Sequence, residues 1–265
     1  MKKLIVLLLT VMFVISGCSK ESTEEAAIKA YINAANNMKN MKSANYALDV
    51  QVKGATNQQP QNLSFHLDGA YKVDTSNIEV SASVDMKQEE TSMDNIVSLY
   101  VKDQNLYLNL MNMQKTKSSL ASYMELLKDV NLTTDDSSTN TTDVEKIKPF
   151  LKETKKENDK ITFTLDPVKV KEYLKKQAEE KNVSETDAID QVTFDTLTFT
   201  TTIKDNFMHD GQLHVIAKNP DNEDEYIDVT LSFTFSDINK VNSISYPTDL
   251  DTYVEADEDA LTNLL

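Results

Sequence analysis

Along most of the chain, apolar and polar residues alternate with a period of two. Ala44, Tyr46, Leu48, Val50 and Val52 are separated by Asn45, Ala47, Asp49 and Gln51. After a polar stretch at 56–62 the alternation returns in Leu63, Phe65, Leu67, Gly69, Tyr71 and Val73. It returns again in Ile78, Val80, Ala82, Val84 and Met86. Segments 96–101 and 106–110 flank Lys102-Asp103-Gln104-Asn105, a tetrapeptide suited to a hairpin turn. Residues 160–165 predict another strand. Further on, Leu197, Phe199, Thr201 and Ile203 share a face, and Leu213, Val215 and Ala217 follow the turn at 204–206. The clearest strand has Ile227, Val229, Leu231, Phe233 and Phe235 against Asp228, Thr230, Ser232 and Thr234. This period predicts antiparallel strands with one apolar face and one wet face.

Helical spacing interrupts the strands in a few places. Ile28, Tyr31, Ile32, Ala35 and Met38 form one stripe over 23–41, and Ser22 with Glu25 reads as a capping box ahead of it. The stripe predicts an amphipathic helix laid on the body of the fold; a helix that binds a partner is the other reading. Leu120, Tyr123, Met124 and Leu127 give helical spacing over 118–128, and 144–153 predicts a short helix interrupted near Pro149. Asp166-Pro167 places a cap before a first-turn proline, with Val170, Tyr173 and Leu174 as the buried stripe of the helix that follows. Ser184 with Asp187 caps one more helical piece. Residues 129–143, rich in Asp, Ser, Thr and Asn without proline or glycine, predict a mobile loop or a module boundary. Helix, strands, helical middle, strands is an α+β order. The turn-then-strand runs at 102–108 and 204–213 hint at two related halves.

The beginning of the chain has a different pattern. Lys2 and Lys3 precede an apolar run at 4–15 broken only by Thr10, then Ser16, Gly17 and Cys18. These are the regions of a secretory signal, too short to span a bilayer as a helix. The cysteine directly after two small residues resembles the lipobox of bacterial lipoproteins. That resemblance implies cleavage before Cys18 and a diacylglycerol on its thiol. Each buried methylene contributes about 0.8 kcal/mol, so one acyl chain holds marginally and two hold stably. The other reading is a secreted protein with an incidental cysteine. The expected organisation is a signal peptide at 1–17, a lipidated tether at 18–25 and a single domain at 26–265, on the extracytoplasmic face of the cell membrane.

Composition narrows the function. Losing Lys2 and Lys3 with the leader takes the formal charge from −16 to −18, and the chain has no arginine. Contacts to nucleic-acid phosphates need cationic side chains, and flat bidentate recognition needs guanidinium, so nucleic acid is not an expected partner. An acidic body tethered by lipid should stand off an anionic membrane. Cys18 is the sole cysteine, which excludes an internal disulfide or a cysteine metal cluster. Four glycines are too few for a phosphate loop or a dinucleotide fingerprint, and neither spacing occurs.

The layout as a whole resembles the LolA/LppX-like lipoprotein fold and Gram-positive lipoproteins of that build. The residues that carry the resemblance are the lipobox, the helix from Thr23, the strand at Ala44-Asn45-Tyr46-Ala47-Leu48 and the helix at 167–181 between strand blocks. The closing run at 231–240, with Pro247 downstream, completes it. The resemblance implies a curved antiparallel sheet, a half-open barrel, with helices covering its concave side and an apolar space between that can hold acyl chains.

No catalytic or metal pattern competes with this. His66 and His214 fall on the polar phase of their strands and His209 in a turn, none with a partner at metal spacing. Asp135-Asp136 and the acidic turn at 221–225 lack the glycine and distal glutamate of a calcium loop, leaving weak cation binding or a solvated turn. No serine elbow or serine–lysine signature occurs, so no enzyme activity, cofactor or metal is expected. The first expectation is a membrane-anchored module that binds a lipid or other apolar molecule. Phe65, Leu67, Val80, Phe199, Val229, Leu231 and Phe233 would form the cavity wall, and Tyr173, Leu174 and Ile28 the cover. The alternatives are an envelope interaction or scaffold lipoprotein with a filled core, an envelope hydrolase, and a transporter's solute-binding protein. The last is disfavoured because its strands would alternate with helices.

Overall fold

The computed structural model describes residues 23–56, 59–74, 77–122, 144–180, 189 and 191–256. Cys18 and the expected leader, the loop at 129–143 and the helical piece from Ser184 lie outside the described residues, as does 257–265.

Helix α1 spans Thr23–Met38. Strands β1 (Ser43–Thr56), β2 (Gln59–Asp74), β3 (Asn77–Gln88), β4 (Thr91–Lys102), β5 (Asn105–Leu110) and β6 (Gln114–Ser119) follow. Helix α2 (Val144–Ile147) and a 3₁₀ turn at Lys148–Phe150 lead into β7 (Leu151–Glu157), β8 (Lys160–Leu165) and α3 (Pro167–Glu180). The chain closes with β9 (Thr193–Lys204), β10 (Phe207–Asn219), β11 (Asn222–Ser236), a 3₁₀ turn at Leu250–Thr252 and β12 (Val254–Glu255). The described chain is mostly β. One open sheet runs in the order β12-β6-β5-β4-β3-β2-β1-β11-β10-β9-β8-β7. It is mixed, because β12 joins β6 in parallel while the ladders from β3 to β6 and from β7 to β10 are antiparallel.

The turns are made without glycine. Asp103 and Gln104 have φ of 51° and 62°, and Asp205 and Asn206 have 50° and 62°. Two successive left-handed residues twist a two-residue loop to match the strands it joins, and Asn and Asp tolerate that backbone best after glycine. At the start of α3, Asp166 Oδ1 accepts from the backbone N–H of Val168 at 2.9 Å and of Lys169 at 3.3 Å, the cap expected from Asp166-Pro167.

Two expectations change. Residues 118–119, read as the start of a helix, complete β6; the helix begins at Leu120, and 123–128 of that expected segment lie outside the described residues. In β6, Gln114, Thr116 and Ser118 stand opposite Leu110, Leu108 and Leu106, so neighbouring strands supply the apolar surface that β6 lacks. The short helix expected over 144–153 ends at Phe150, and Leu151 begins β7. β7 is a terminal strand of the sheet, and Lys152, Lys155 and Lys156 deter another chain from pairing with it.

Contacts divide the chain into two compact units. The first comprises Met1–Asn40, Val50–Leu63 and Ser138–Phe233, the second Met41–Asp49, Ser64–Ser137 and Thr234–Leu265. In the first unit α1 packs on β7, β9 and β10, and α3 on β9. Ala27, Ile28, Tyr31 and Ile32 of α1 and Val170, Leu174 and Ala178 of α3 are buried with Ile161, Phe163, Leu197, Phe199, Leu213, Val215, Val229 and Leu231 of the strands. Tyr31 stands edge-on to Phe163 and Phe199, with centroids 5.5 and 5.6 Å away. Burial there pushes its phenol pKa far up. In the second unit the buried hydrophobics among the described residues are Ala44, Val101, Leu106, Ile244 and Tyr253.

Candidate functional site

The register of β3, β4 and β5 builds one apolar face in the second unit. Val80 pairs with Val101 and Val101 with Leu106; Ala82 with Leu99 and Leu99 with Leu108; Val84 with Val97 and Val97 with Leu110. Residues paired directly across antiparallel strands point to the same side, so these three rungs form an aliphatic ladder. Val101 and Leu106 are buried, while Val80, Ala82, Val84, Leu99, Val97, Leu108 and Leu110 are each only partly covered. On β2, next to β3 in the sheet, Phe65, Leu67 and Tyr71 alternate with Ser64, His66 and Lys72 and are also partly covered.

Tyr46 and Gly69 mark one side of this region. Tyr46 lies across Gly69, and its hydroxyl donates to the Ser81 carbonyl at 3.3 Å. A Cβ at position 69 would collide with that carbonyl oxygen and with the Tyr46 ring. Glycine is required here by close approach rather than by its φ. Tyr71 meets Tyr46 with ring centroids 6.3 Å apart, and its hydroxyl reaches the Met41 carbonyl at 3.4 Å. Burial raises both phenol pKa values, and at Tyr46 the nearby Asp68 adds to the shift.

The opposite face of the same strands is covered in part, with Ser98 and Asn109 buried and Ser81, Ser83, Tyr100 and Tyr107 partly covered. Residues 237–256 cross it as a strap. Asn45 donates to Asp237 at 2.8 Å, Lys72 to the Asn242 carbonyl at 3.0 Å, and the Tyr246 hydroxyl to the Val101 carbonyl at 2.9 Å. Tyr246 packs edge-on to Tyr100 and Tyr253 edge-on to Tyr107, at 6.5 and 5.5 Å. Lys115 meets Asp249 at 2.6 Å, and β12 then pairs with β6. Desolvation, aided by nearby acidic charge, pushes the Tyr246 phenol up to about 12. Desolvation does the same at Tyr253, to about 12, with Tyr100 and Asp249 adding. The hydrogen bond from Lys115 holds the Asp249 carboxyl below its ordinary range. His66, also on this face, is bonded to Asp49 through Nδ1 at 2.7 Å, and that bond leads the causes that raise its pKa.

The ten residues expected to line a cavity divide between the units. Phe65, Leu67 and Val80 lie in the second, on or beside the partly open ladder. Ile28, Tyr173, Leu174, Phe199, Val229, Leu231 and Phe233 lie in the first. There Ile28 and Leu174 are sealed in the core, Tyr173 stands edge-on to Phe150 at 5.4 Å, and Phe199 is stacked with Phe163 at 6.5 Å. Phe233 lies over Gly211, where a Cβ would strike its ring. A surface cleft of about 490 Å³ in the first unit, at the turns after β7 and β9, is lined by Ala30, Ile161 and Ile203 with Lys156, Asp159, Lys204 and Asp205 among its polar groups. None of the ten residues lines it. Sequence reasoning missed the β4 and β5 part of the ladder, Val97, Leu99, Leu108 and Leu110. Their alternation was visible, but only the register shows that they continue the face of Val80.

His214 Nε2 lies 2.9 Å from Asp228 Oδ1, a cross-strand pair. His209, expected in a turn, sits in β10 where the register shifts between Met208 and Asp210. Among the described residues no group of three or more His, Asp or Glu side chains is placed to hold a metal ion, and no helix is long and apolar enough to cross a membrane.

The sequence pattern of DUF6612, described as a family of unknown function, matches residues 26–252. The chain belongs to the DUF6612 family. Among curated proteins no match was found. Solved structures similar to this DUF6612 chain include the ywiB protein from Bacillus subtilis, at 9% identity and a TM-score of 0.19, covering 75% of this chain and 96% of that one. A DUF1329 family protein from Desulfovibrio piger matches at 7% identity and a TM-score of 0.24, covering 81% and 96%. A beta-barrel-like DUF1849 protein from Brucella abortus matches at 7% and 0.18, covering 74% and 100%. Scores this low carry no inference about the activity of the DUF6612 chain.

Proposed function

We propose that this DUF6612 protein is an extracytoplasmic lipoprotein, tethered through Cys18, that binds a lipid or other apolar ligand. The ligand lies on the aliphatic ladder of the second unit, in a half-open arrangement of the LolA/LppX kind. The observation that carries the reading is the ladder itself. Seven of its nine side chains, all but the buried Val101 and Leu106, are only partly covered, and the strap of residues 237–256 lies against the opposite, more polar face of the same strands rather than over the ladder. A contiguous apolar surface that its own domain leaves partly uncovered marks a place where something binds. Affinity would come from apolar area removed from water, about 25 cal/mol per Å².

The test is native mass spectrometry and lipid extraction of protein purified from cells, beside Leu99→Gln and Leu108→Gln variants. A copurifying apolar molecule lost from both variants supports the reading; wild-type protein without one opposes it. The anchor is tested separately. Labelled palmitate should enter the wild-type chain and not Cys18→Ala, and the variant should leave the membrane fraction.

A second reading, an envelope interaction protein with a filled core, is favoured by the first unit. There Tyr31, Phe163 and Phe199 pack ring against ring, and Phe199, Val229 and Leu231 of the expected wall are sealed in the core. In-cell crosslinking to one dominant protein, with no extractable ligand, would favour it.

A further inference from the structure

The last rung of the ladder, Val84–Val97–Leu110, leads into methionines. Met86 pairs with Met93 just beyond it, and Met111 begins the turn after Leu110, its N–H bonded to the Ile96 carbonyl at 3.0 Å. Met113 closes that turn, its N–H bonded to the Leu110 carbonyl at 2.9 Å. These side chains are displayed rather than packed: Met113 is 79% exposed, Met111 52% and Met93 36%, whereas Met208 in the first unit is 7% exposed. The turn does not favour such a residue either. Met111 has a φ of 49° and Asn112 of 55°, a left-handed backbone that suits Asn or Gly at both positions. An apolar side chain held in water on a disfavoured backbone invites a functional explanation.

The thioether is the one chemical property that sets methionine apart from leucine here. It is nucleophilic and open to two-electron oxidation. We propose that Met111 and Met113 form an oxidant-sensitive modification site whose conversion to sulfoxide weakens apolar-ligand binding at the adjoining ladder. The oxidant is a peroxide. A sulfur lone pair attacks one peroxide oxygen, the O–O bond breaks, the S–O bond forms, and the departing hydroxide takes up a proton to leave as water. Sulfur loses two electrons and the peroxide gains them. The product is a polar, chiral side chain at the end of an apolar surface. Because both thioethers stand in solvent, oxidation leaves the core packing of the unit intact and changes its rim. The ligand effect rests on the binding reading above; the modification itself does not.

The experiment treats full-length protein with graded hydrogen peroxide. Sulfoxides are mapped by peptide mass spectrometry, and binding of parinaric acid, a fluorescent fatty acid, is measured before and after. Met113 and then Met111 should oxidise well before Met208; oxidation of Met208 at an equal or earlier dose overturns the site. Binding should weaken roughly three- to tenfold after oxidation, the scale of losing an apolar contact that a bound ligand makes with these thioethers. A Met111→Leu/Met113→Leu protein, whatever its starting affinity, should keep that affinity through the same treatment. Loss in both proteins, or in neither, overturns the regulatory claim. Untreated protein that binds no parinaric acid refutes the binding reading and this inference together, and differs from binding that is present but indifferent to peroxide.

Discussion

Gly69 shows how closely single positions are specified in the second unit. Any side chain there meets the Ser81 carbonyl, which is backbone and cannot swing aside, and the ring of Tyr46. Gly69→Ala should therefore cost about 1–3 kcal/mol, the range for overpacking. Denaturant melts should show the loss, and Gly69→Ala/Tyr46→Phe should not recover it because the carbonyl remains. His66 is specified by charge. Its pKa is raised above the ordinary 6.5, chiefly by the bond to Asp49. A raised folded pKa means that the stabilisation is complete below about 6.5 and lost as pH rises through the folded value. An NMR titration should place the His66 midpoint above 6.5, and Asp49→Asn should lower it; an unchanged midpoint in the variant would rule out Asp49 as the cause. His66 was legible as a polar-phase residue. Asp49 was not, because it lies on a different strand and only register brings the two together.

Among elements, α3 offers the sharpest test, since its start was readable as Asp166-Pro167 and the cap is formed. Asp166→Ala should cost about 1 kcal/mol, the usual cost of losing an N-cap acceptor, seen as a lower melting temperature; Asp166→Asn should retain most of it. The alternating strands were legible for the same kind of reason. In β8 to β11 the local pattern and the final environment agree, whereas β1 to β5 form as the period predicts without burial following it throughout, since Val73 and Ile78 are exposed and Ser98 and Asn109 buried. β6 and β7 were not legible. Gln114-Lys115-Thr116-Lys117-Ser118 has no apolar phase, and its strand character is imposed by β5. β7 is a charged terminal strand with apolar Leu151 at its start. The ladder was half legible for a related reason, because a period of two says that a strand has an apolar face but not which neighbour continues it. Phe199, Val229 and Leu231 were indistinguishable in sequence from Phe65, Leu67 and Val80, yet the first three are buried in a packed core.

At the scale of the whole molecule, the turn-then-strand runs at 102–108 and 204–213 fall in different units, but nothing in the sequence marks where the units divide. β1, β2 and β11 each contribute residues to both units, so the boundaries fall inside strands rather than in a linker. The strap predicts how the units differ in stability. Truncation after Ser236 would remove the aromatic cover from Tyr100 and Tyr107. Hydrogen exchange should then lose protection in β4 to β6 while β8 to β10 keep theirs; equal loss in both sets would show that the units do not behave separately. Alkali should act at the same place. With Tyr246 and Tyr253 held up to about 12, the neutral phenols contribute fully below the ordinary value near 10. That contribution fades as pH rises from about 10 to about 12. Tyr246→Phe should reduce the fading and, by deleting the bond to Val101, lower neutral-pH stability by about 1 kcal/mol.

The same strap sets an order of events. Strands β3 to β6 are synthesised early, and the tyrosines and lysines that receive the strap wait until all of β7 to β11 has left the ribosome. Contacts between such distant parts of the chain form slowly, because a long loop must close before they are made. The second unit, most of whose strands are made before those of the first, is thus the last to be finished. Until then the face that carries Tyr100 and Tyr107 lacks its strap, the interval in which a chaperone would have the most to hold.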